Sequence, residues 1–450
     1  MKDSHSFSPA QLVAGSFALL VLVGTTLLLL PMSRADGSAD FVTALFTATS
    51  AVCLTGLIVV DTATYWSHFG QAVIMMLIQL GGLGIMTLAT IASWVIAGQI
   101  GVKSRLNASA EGRGGNQLGD VKTLLVATLS FTAAVEGVIA TFLIAKFHFS
   151  YGYDWGSAIW QGTFHSISAF NNAGFSLESD NLVLFVNDIG LLFPIACSIM
   201  IGGVGYPVLL ELTLRLRRRT QGFKYLPRLS LTTQFVVAGS LILWSVGALG
   251  VAVLEWNGAL SGLSILGKIS NAIFQSVSTR TAGFNAIDVG AFHPSTLILS
   301  DIMMFIGGGS GGTAGGVKIT TVAVLLAVMV SEIRGDEYTL LSERRIPNRT
   351  MRQALAVFML AGSIVVVAIG LVQLLAPEFS THQIVFEVIS AFATVGLSTG
   401  ITGSLPVSAK LLITVLMYSG RVGPITLVAA MAARSQRRQY SYPVERPLIG

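Results

Sequence analysis

The sequence is poor in charged residues. Only 11% of its 450 residues are Asp, Glu, Lys or Arg, whereas 53% are hydrophobic and the mean hydropathy is +0.74. A soluble domain carries roughly 25% charged residues, so this composition excludes an ordinary soluble protein and indicates a chain embedded in a lipid bilayer. The length suits one membrane domain, with little room for a soluble module.

Cysteine pairs and metal-ligand patterns are scarce as well. Cys53 and Cys197 stand far apart in apolar surroundings, so no disulfide framework is expected. The six histidines lack metal-ligand spacing, and His165 is expected to be a packing residue. Residues 311–318 match a phosphate-binding P-loop only if Val317 is ignored, and no strand-to-helix context supports that match. An enzymatic role has little support, and we expect no cofactor in this chain.

Eight hydrophobic segments are long enough to cross a membrane, which takes about 20 apolar residues. The first could instead be a cleaved signal peptide, but residues 1–9 carry only Lys2, opposed by Asp3, and no clear cleavage site follows. The predicted spans cover residues 11–30, 71–96, 121–145, 186–214, 232–254, 296–330, 353–375 and 409–433.

A short motif occurs once between the two members of each successive pair of spans. It begins with Phe, has Ser four residues later, and ends in Gly followed by Phe or Leu; its copies cover residues 46–57, 164–175, 274–284 and 386–397. Their glycines, Gly56, Gly174, Gly283 and Gly396, are separated by 118, 109 and 113 residues. Each copy is too short to span, so we expect four re-entrant segments around one pore of approximate fourfold symmetry.

The predicted fold class is an all-α polytopic membrane protein built from four pseudo-symmetric units. Each unit consists of a span, a pore helix, a filter turn and a second span, which gives eight transmembrane helices and four re-entrant half-helices. The units are predicted at residues 1–98, 99–214 (including the cytosolic loop that precedes the unit), 215–330 (with a broken second span and a gating loop), and 331–433 (including the cytosolic loop that precedes the unit). Residues 434–450 would form a cytosolic tail.

Basic residues are concentrated on one side of this eight-span arrangement. Residues 99–122, 215–228, 331–352 and the tail from 434 hold 19 of the 27 Lys and Arg residues. By the positive-inside rule, both termini and these loops face the cytoplasm, and the four turns open outward. The basic loops are first of all topology signals; binding of anionic membrane lipid or of a cytosolic subunit is the functional alternative.

The four turns favour a monovalent cation. Such an ion exchanges its hydration shell for oxygen ligands, which rings of backbone carbonyls supply for potassium. Glycine permits the backbone to turn consecutive carbonyls toward one axis, and the negative end of a preceding half-helix favours a cation. One isolated glycine would more often serve helix packing, but four copies favour a filter. The absence of an acidic ring disfavours calcium-like selectivity. The candidate filter residues are Cys53, Leu54, Thr55, Gly56, Asn171, Asn172, Ala173, Gly174, Arg280, Thr281, Ala282, Gly283, Ala393, Thr394, Val395 and Gly396.

These motifs resemble the Trk/Ktr/HKT superfamily of potassium transporters, and most closely the membrane subunit of the bacterial Ktr/Trk systems. The resemblance covers residues 11–433, and SVSTRTAGF at residues 276–284 is its most specific part. Glycine in all four turns resembles the potassium-selective members, whereas Ser in the first turn marks sodium-permeable plant relatives. The resemblance implies a homodimer docked on a ring of cytosolic regulatory subunits, with nucleotide bound only by that partner.

A second glycine patch follows each turn, and in the third unit it reads GGGSGGTAGG over residues 307–316. Glycine at this density breaks a helix, and the resemblance implies that the broken span forms a gate below the filter. Lys318 and Arg421 are charged residues within spans; each could merely cap backbone or pair with an acid, or could act as a barrier and latch. Arg280 is expected to bond Glu387 or neighbouring carbonyls. The candidate gate residues are Gly307, Gly308, Gly309, Ser310, Gly311, Gly312, Thr313, Ala314, Gly315, Gly316, Lys318 and Arg421.

The predicted function is potassium uptake across the cell membrane. The main alternative is a sodium-permeable or sodium-coupled transporter of the same superfamily. A membrane-embedded enzyme or receptor is the rival from another class; it would need catalytic groups clustered at one depth, which the sequence does not show.

Overall fold

The computed structural model describes residues 9–98, 117–222, 228–309, 312–342 and 344–423, which are mostly helical. A short hairpin pairs β1 (Leu340–Leu341) with β2 (Arg344–Arg345). The α-helices are α1 Pro9–Leu28, α2 Phe41–Val52, α3 Thr62–Tyr65, α4 His68–Gly98, α5 Gln117–Tyr151, α6 Trp155–Phe170, α7 Ile189–Val204, α8 Tyr206–Thr220, α9 Leu231–Glu255, α10 Ile265–Ser278, α11 Pro294–Phe305, α12 Ile319–Arg334, α13 Asn348–Leu375, α14 Thr381–Ala393 and α15 Val407–Val422.

The first helix of each unit is long and apolar. Among the described residues, helices α1, α5, α9 and α13 each contain a single stretch that is long and apolar enough to cross a membrane: Gln11–Leu28, Val126–Tyr151, Leu231–Glu255 and Asn348–Leu375. Their outward faces are apolar and exposed, with Leu22 at 61%, Val138 at 69% and Leu374 at 79%. Large exposed apolar faces on four helices are typical of lipid contact, so the chain is a membrane protein.

The short helices α2, α6, α10 and α14 lie between the spans, and their last turns are buried. They begin some residues before the Phe of the motif, because a polar N-cap precedes each one: Asp40, Asp154, Ser264 and Ser380. For example, Asp40 accepts a hydrogen bond from the Val42 backbone N at 3.0 Å. An N-cap satisfies backbone donors that have no partner inside the helix, which fixes where each short helix starts.

The second helix of the second unit is bent within the predicted span 186–214. Helix α7 ends at Val204 and α8 leaves at 100° to it, a bend that the sequence analysis did not predict. Gly205 has φ +93, in the left-handed region, and Tyr206-Pro207 follows, so the helix cannot continue. The predicted basic loop from Arg215 is helical as far as Thr220. The total of eight spans stays a prediction.

The glycine-rich stretch in the third unit interrupts the helix, as its composition predicts. The expected span 296–330 consists of α11 and α12, joined by an irregular segment. A parallel bridge pairs Ile306 with Val317, and the Gly307 backbone N donates to the Val317 carbonyl at 2.9 Å. We call residues 307–316 the glycine loop. Ser310 and Gly311, residues 99–116 and 223–227 of the other basic loops, and the tail lie outside the described residues, whereas the basic loop 331–352 is described apart from residue 343 and contains the hairpin.

In the other three units, a glycine of the second helix touches the last turn of the short helix. A Cβ at Gly420 would lie 1.7 Å from the Phe392 carbonyl oxygen, and Gly81 and Gly202 meet the carbonyl oxygens of Val52 and Phe170 in the same way. These contacts leave no space for a side chain. In these three units, the second glycine patch therefore lets the second helix pack directly against the C-terminal end of the short helix.

We predict that Gly420→Ala destabilises the protein by about 1–3 kcal/mol, the usual cost of overpacking a tight contact. Gly362→Ala in α13 is the matched control, because no atom lies within 4 Å of a Cβ there. Unfolding of both purified variants in detergent would measure the difference. Equal stability of the two variants would show that the contact between α15 and α14 is not tight.

Candidate functional site

The four motif glycines form a closed ring. A Cβ on each glycine would collide with the carbonyl oxygen of the residue that precedes the next glycine in the chain. The distances are 2.5 Å from Gly56 to Ala173, 2.6 Å from Gly174 to Ala282, 2.3 Å from Gly283 to Val395 and 2.0 Å from Gly396 to Thr55. Segments more than 100 residues apart in sequence therefore meet around one axis, in the order of the four units. We call Gly56, Gly174, Gly283 and Gly396 the glycine ring.

The backbone alternates in conformation as it enters the ring. The ring glycines have φ between +71 and +92, and the residue two positions before each is also left-handed. Those residues are Leu54 (φ +57), Asn172 (φ +56), Thr281 (φ +83) and Thr394 (φ +51). Alternation of left-handed and ordinary residues turns successive carbonyls to one side of the chain. A left-handed non-glycine residue costs on the order of 1–3 kcal/mol, so its presence in all four copies indicates a functional conformation.

The motif serines hold this backbone. Ser50 Oγ donates to the Leu57 carbonyl at 2.8 Å and accepts from the Gly56 backbone N at 3.1 Å. The equivalent hydroxyls of Ser168, Ser278 and Ser390 bond the backbone at or beside their own ring glycines. The sequence analysis noted this Ser but gave it no role, although its fixed spacing from the glycine was the available signal.

A cavity of about 600 Å³ opens on one side of the ring. It is lined by the ring glycines, by residues that follow them, and by four acidic side chains, Asp61, Glu178, Asp180 and Asp288. No basic residue appears in this lining within the described parts of the chain. Burial raises the pKa of Glu178 above its ordinary value, and the nearby charge of Asp61 acts in the same direction, whereas a hydrogen bond from Tyr153 opposes the shift. A concave surface of one charge sign concentrates counter-ions, so this outer cavity attracts cations.

The glycine loop lies on the other side of the ring. A Cβ at Gly315 would lie 1.9 Å from Thr394 Oγ1, and Thr313 Oγ1 lies 3.4 Å from the side-chain amide of Asn172. Both partners precede a ring glycine, whereas the cavity is lined by residues from the glycines onward. The ring therefore separates the acidic cavity from the loop.

Three cationic side chains hold the loop through its carbonyl oxygens. Arg421, 5% exposed, donates to the Thr313 carbonyl and, at 3.5 Å, to the Gly81 carbonyl of the first unit. Lys318 donates to the carbonyl of Ala314. Arg280 donates through Nη2 to the Gly307 carbonyl at 2.9 Å. The sequence analysis left Glu387 and neighbouring carbonyls as possible partners of Arg280, and the structure shows a bond to a carbonyl.

The predicted filter residues do not all reach the ring. The carbonyls of Thr55, Ala173, Ala282 and Val395 contact it directly, whereas the side chain of Arg280 points to the loop. The Asn171 side chain also leaves the ring, because its Nδ2 bonds Gln79 at 2.9 Å and Glu136 at 3.1 Å. Sequence reasoning missed Glu136, a buried residue of α5. Its signal was an acidic residue within a predicted span, which usually has a function.

Residues 6–440 match the family named TrkH, described as cation transport protein. Ktr system potassium uptake protein B of Bacillus subtilis (strain 168) is 38% identical over 443 residues, which cover 97% of this chain and 96% of that protein. The chain belongs to the TrkH family of cation transport proteins.

A second relative and a solved structure agree with this family assignment. The potassium/sodium uptake protein NtpJ of Enterococcus hirae is 34% identical over 450 residues, covering 98% of this chain and 97% of that protein. The potassium transporter TrkH from Vibrio parahaemolyticus has the same fold, with a TM-score of 0.73 at 18% identity, covering 96% of this chain and 87% of that one. The resemblance drawn from the sequence is confirmed, and this TrkH-family protein is a transporter rather than an enzyme.

Proposed function

We propose that this chain is the ion-translocating subunit of a Ktr/Trk-type system and carries potassium into the cell through the glycine ring. The closed ring of backbone segments carries this proposal, because carbonyl oxygens can replace the hydration shell of a potassium ion. The C-terminal ends of four short helices lead into the ring, and their partial negative charge adds to the attraction for a cation. The name of the B. subtilis relative, a potassium uptake protein, supports the same ion.

A sodium-permeable or sodium-coupled transporter is the second candidate. It is favoured by the relative from E. hirae, whose name includes both potassium and sodium. Growth rescue of a potassium-uptake-deficient bacterium, with and without sodium in the medium, tests both candidates. Rescue independent of sodium supports potassium uptake alone, sodium-dependent rescue supports the second candidate, and no rescue by well-expressed protein would count against both.

The glycine loop is proposed as the gate. It lies against the inner side of the ring, and Arg421 beneath it brings a positive charge that cannot be lost in this setting. A cation leaving the ring would have to displace the loop and pass this guanidinium. Lys318 adds a second positive charge at the end of the loop.

The assembly is proposed as a homodimer in the cell membrane, docked on a ring of cytosolic nucleotide-binding regulatory subunits, with both termini cytoplasmic. The name Ktr system, borne by the B. subtilis relative, supports a protein with several components. The exposed end of α8, which carries Arg217, Arg218 and Arg219, belongs to the candidate docking surface. Residues 331–352 and the tail 434–450 complete it.

We predict that Gly56→Ser lowers the preference for potassium over sodium. A Cβ at this position would lie 2.5 Å from the Ala173 carbonyl oxygen, and φ is +88, so the ring must deform. Gly152→Ser is the matched control, because Gly152 also has a positive φ, +72, but no atom lies within 4 Å of its Cβ position. Uptake of potassium in competition with sodium measures the effect; unchanged discrimination in Gly56→Ser would exclude this glycine from the filter.

Substitution of Arg421 tests the gate. Arg421→Ala removes both the positive charge and the bond to the Thr313 carbonyl, so potassium should leak faster through the protein without regulatory subunits. Arg421→Lys keeps the charge but loses the planar fork, and an intermediate leak is expected. Lys268→Ala, which removes a cation that bonds the Trp256 carbonyl, is the control. A leak in Arg421→Ala equal to wild type would leave Arg421 as a structural cap only.

The outer cavity predicts a pH dependence. Because burial raises the pKa of Glu178, this carboxylate is protonated at a higher pH than an ordinary Glu, and the cavity then loses negative charge as external pH falls. The half-saturating potassium concentration should rise by up to about fivefold, since one charge several Å away in water contributes about 1 kcal/mol or less.

Two variants check the role of Glu178. Glu178→Gln should have the weaker apparent affinity at all pH values and lose most of the pH dependence. Asp154→Asn, an N-cap change outside the cavity lining, should keep the wild-type profile. An unchanged profile in Glu178→Gln would contradict the role of the cavity.

A further inference from the structure

Behind the ring, the residue after the motif Phe differs in every unit. These residues are Thr47, His165, Gln275 and Glu387 in chain order, and all are buried. They occupy equivalent positions on the four short helices, one residue after the motif Phe. Their chemistry, unlike that of the motif Ser, has no fourfold symmetry.

Glu387 in the fourth unit is bonded to the chain that leaves the ring. It is fully buried and accepts hydrogen bonds from Ser398 Oγ, from the Thr399 backbone N at 3.2 Å and from Thr402 Oγ1 at 3.0 Å. Ser398 is two residues after Gly396 and lines the outer cavity. One buried carboxyl group therefore fixes the outer end of the fourth ring segment through three bonds.

His165 makes the equivalent contact in the second unit. Its Nε2 lies 2.9 Å from Ser176 Oγ, and its Nδ1 lies 2.8 Å from the Gln161 carbonyl oxygen. Because Nδ1 faces an acceptor, it carries the hydrogen, and in the neutral ring Nε2 accepts the hydrogen of Ser176. Ser176 is two residues after Gly174 and also lines the outer cavity.

The other two units lack this contact. In the first unit the residue two positions after the glycine is Ile58, whose side chain cannot form a hydrogen bond. In the third unit both amide atoms of the fully buried Gln275 are without a hydrogen-bond partner among the described residues. Asn285, two residues after Gly283, instead donates to the Ile287 carbonyl at 3.2 Å.

We propose that Glu387 and His165 are positioning residues that brace two opposite ring segments and thereby keep the ring selective. The ring follows the order of the units, so the second and fourth units face each other across the axis. The backbone of the ring thus has approximate fourfold symmetry, but these supporting side-chain contacts occur in only two of the four units, the second and the fourth. This inference rests on the proposed role of the ring as the filter.

The test compares the same substitution at two equivalent positions. Glu387→Leu removes three hydrogen bonds, and the preference for potassium over sodium in reconstituted vesicles should fall by about five- to tenfold, as expected for the loss of one to two net hydrogen bonds. Gln275→Leu is the control, because its amide has no partner to lose, and its discrimination should equal that of wild type.

Conservative variants show whether a loss of selectivity comes from the lost hydrogen bonds, from the lost charge of Glu387 or from misfolding. In Glu387→Gln, the amide oxygen can accept from Ser398 and Thr399 while its NH₂ donates to Thr402, so selectivity should be retained. Ser398→Ala and Ser176→Ala each remove one hydroxyl from a brace and should lower discrimination in proteins of wild-type thermal stability. In a double-mutant cycle, Ser398→Ala should have no further effect on a Glu387→Leu background.

The outcomes also distinguish this inference from the proposed function. If Gly56→Ser loses discrimination while Glu387→Leu, Ser398→Ala and Ser176→Ala keep it, the ring is the filter but the braces are only structural, and the inference is overturned. If Gly56→Ser also keeps it, the ring is not the filter and both proposals fail. Loss of selectivity in Glu387→Gln equal to that in Glu387→Leu would show that charge, and not positioning, is what Glu387 supplies.

Discussion

The close approach of four backbone segments at the glycine ring is the constraint on which the rest of the structure depends. A Cβ at any ring glycine would lie 2.6 Å or less from a carbonyl oxygen of the next segment. No side chain larger than hydrogen fits there, and carbonyl groups are the polar atoms that remain to meet an ion. The ring forms only if the C-terminal end of each short helix holds the following ring glycine at the correct position. The second helix of each of three units serves this end, since Gly81, Gly202 and Gly420 let it touch the short helix directly.

The structure combines attraction and repulsion of cations without an acidic residue at the ring itself. Carboxylates line the outer cavity, where water still screens them. On the other side, the guanidinium groups of Arg280 and Arg421 bond carbonyl oxygens of the glycine loop rather than carboxylates. Within the described parts of the chain, carbonyl dipoles and not carboxylates therefore face these two charges. This arrangement agrees with the proposed filter and gate, in which a cation enters from the cavity side and the glycine loop controls its exit.

The four units share a backbone plan but not their supporting side chains. Each ring segment is held by the same motif Ser, yet among the four residues that follow the motif Phe, only His165 and Glu387 bond the side chain two positions after their ring glycine. Likewise, the third unit alone has the glycine loop, while in the second unit the break at Gly205 redirects the helix by 100°. A single chain can differentiate its four units in this way, because a substitution in one unit is not repeated in the others.

The sequence by itself determined the membrane environment, the four repeats, the ring glycines and the break at residues 307–316, because hydropathy, spacing and glycine density act locally along the chain. Only the tertiary structure decided the cyclic order of the ring, the carbonyl partners of Arg280 and Arg421, and the pairing of Glu387 with Ser398. Most of those contacts join residues far apart in the sequence; Arg421 and Gly81, for example, are 340 positions apart. The bend at Gly205 was missed for a related reason. A glycine followed by Tyr-Pro is compatible with both a kink and a turn in an apolar run, and only packing against the glycine loop, where Gly309 bonds the Gly203 carbonyl at 3.0 Å, distinguishes them.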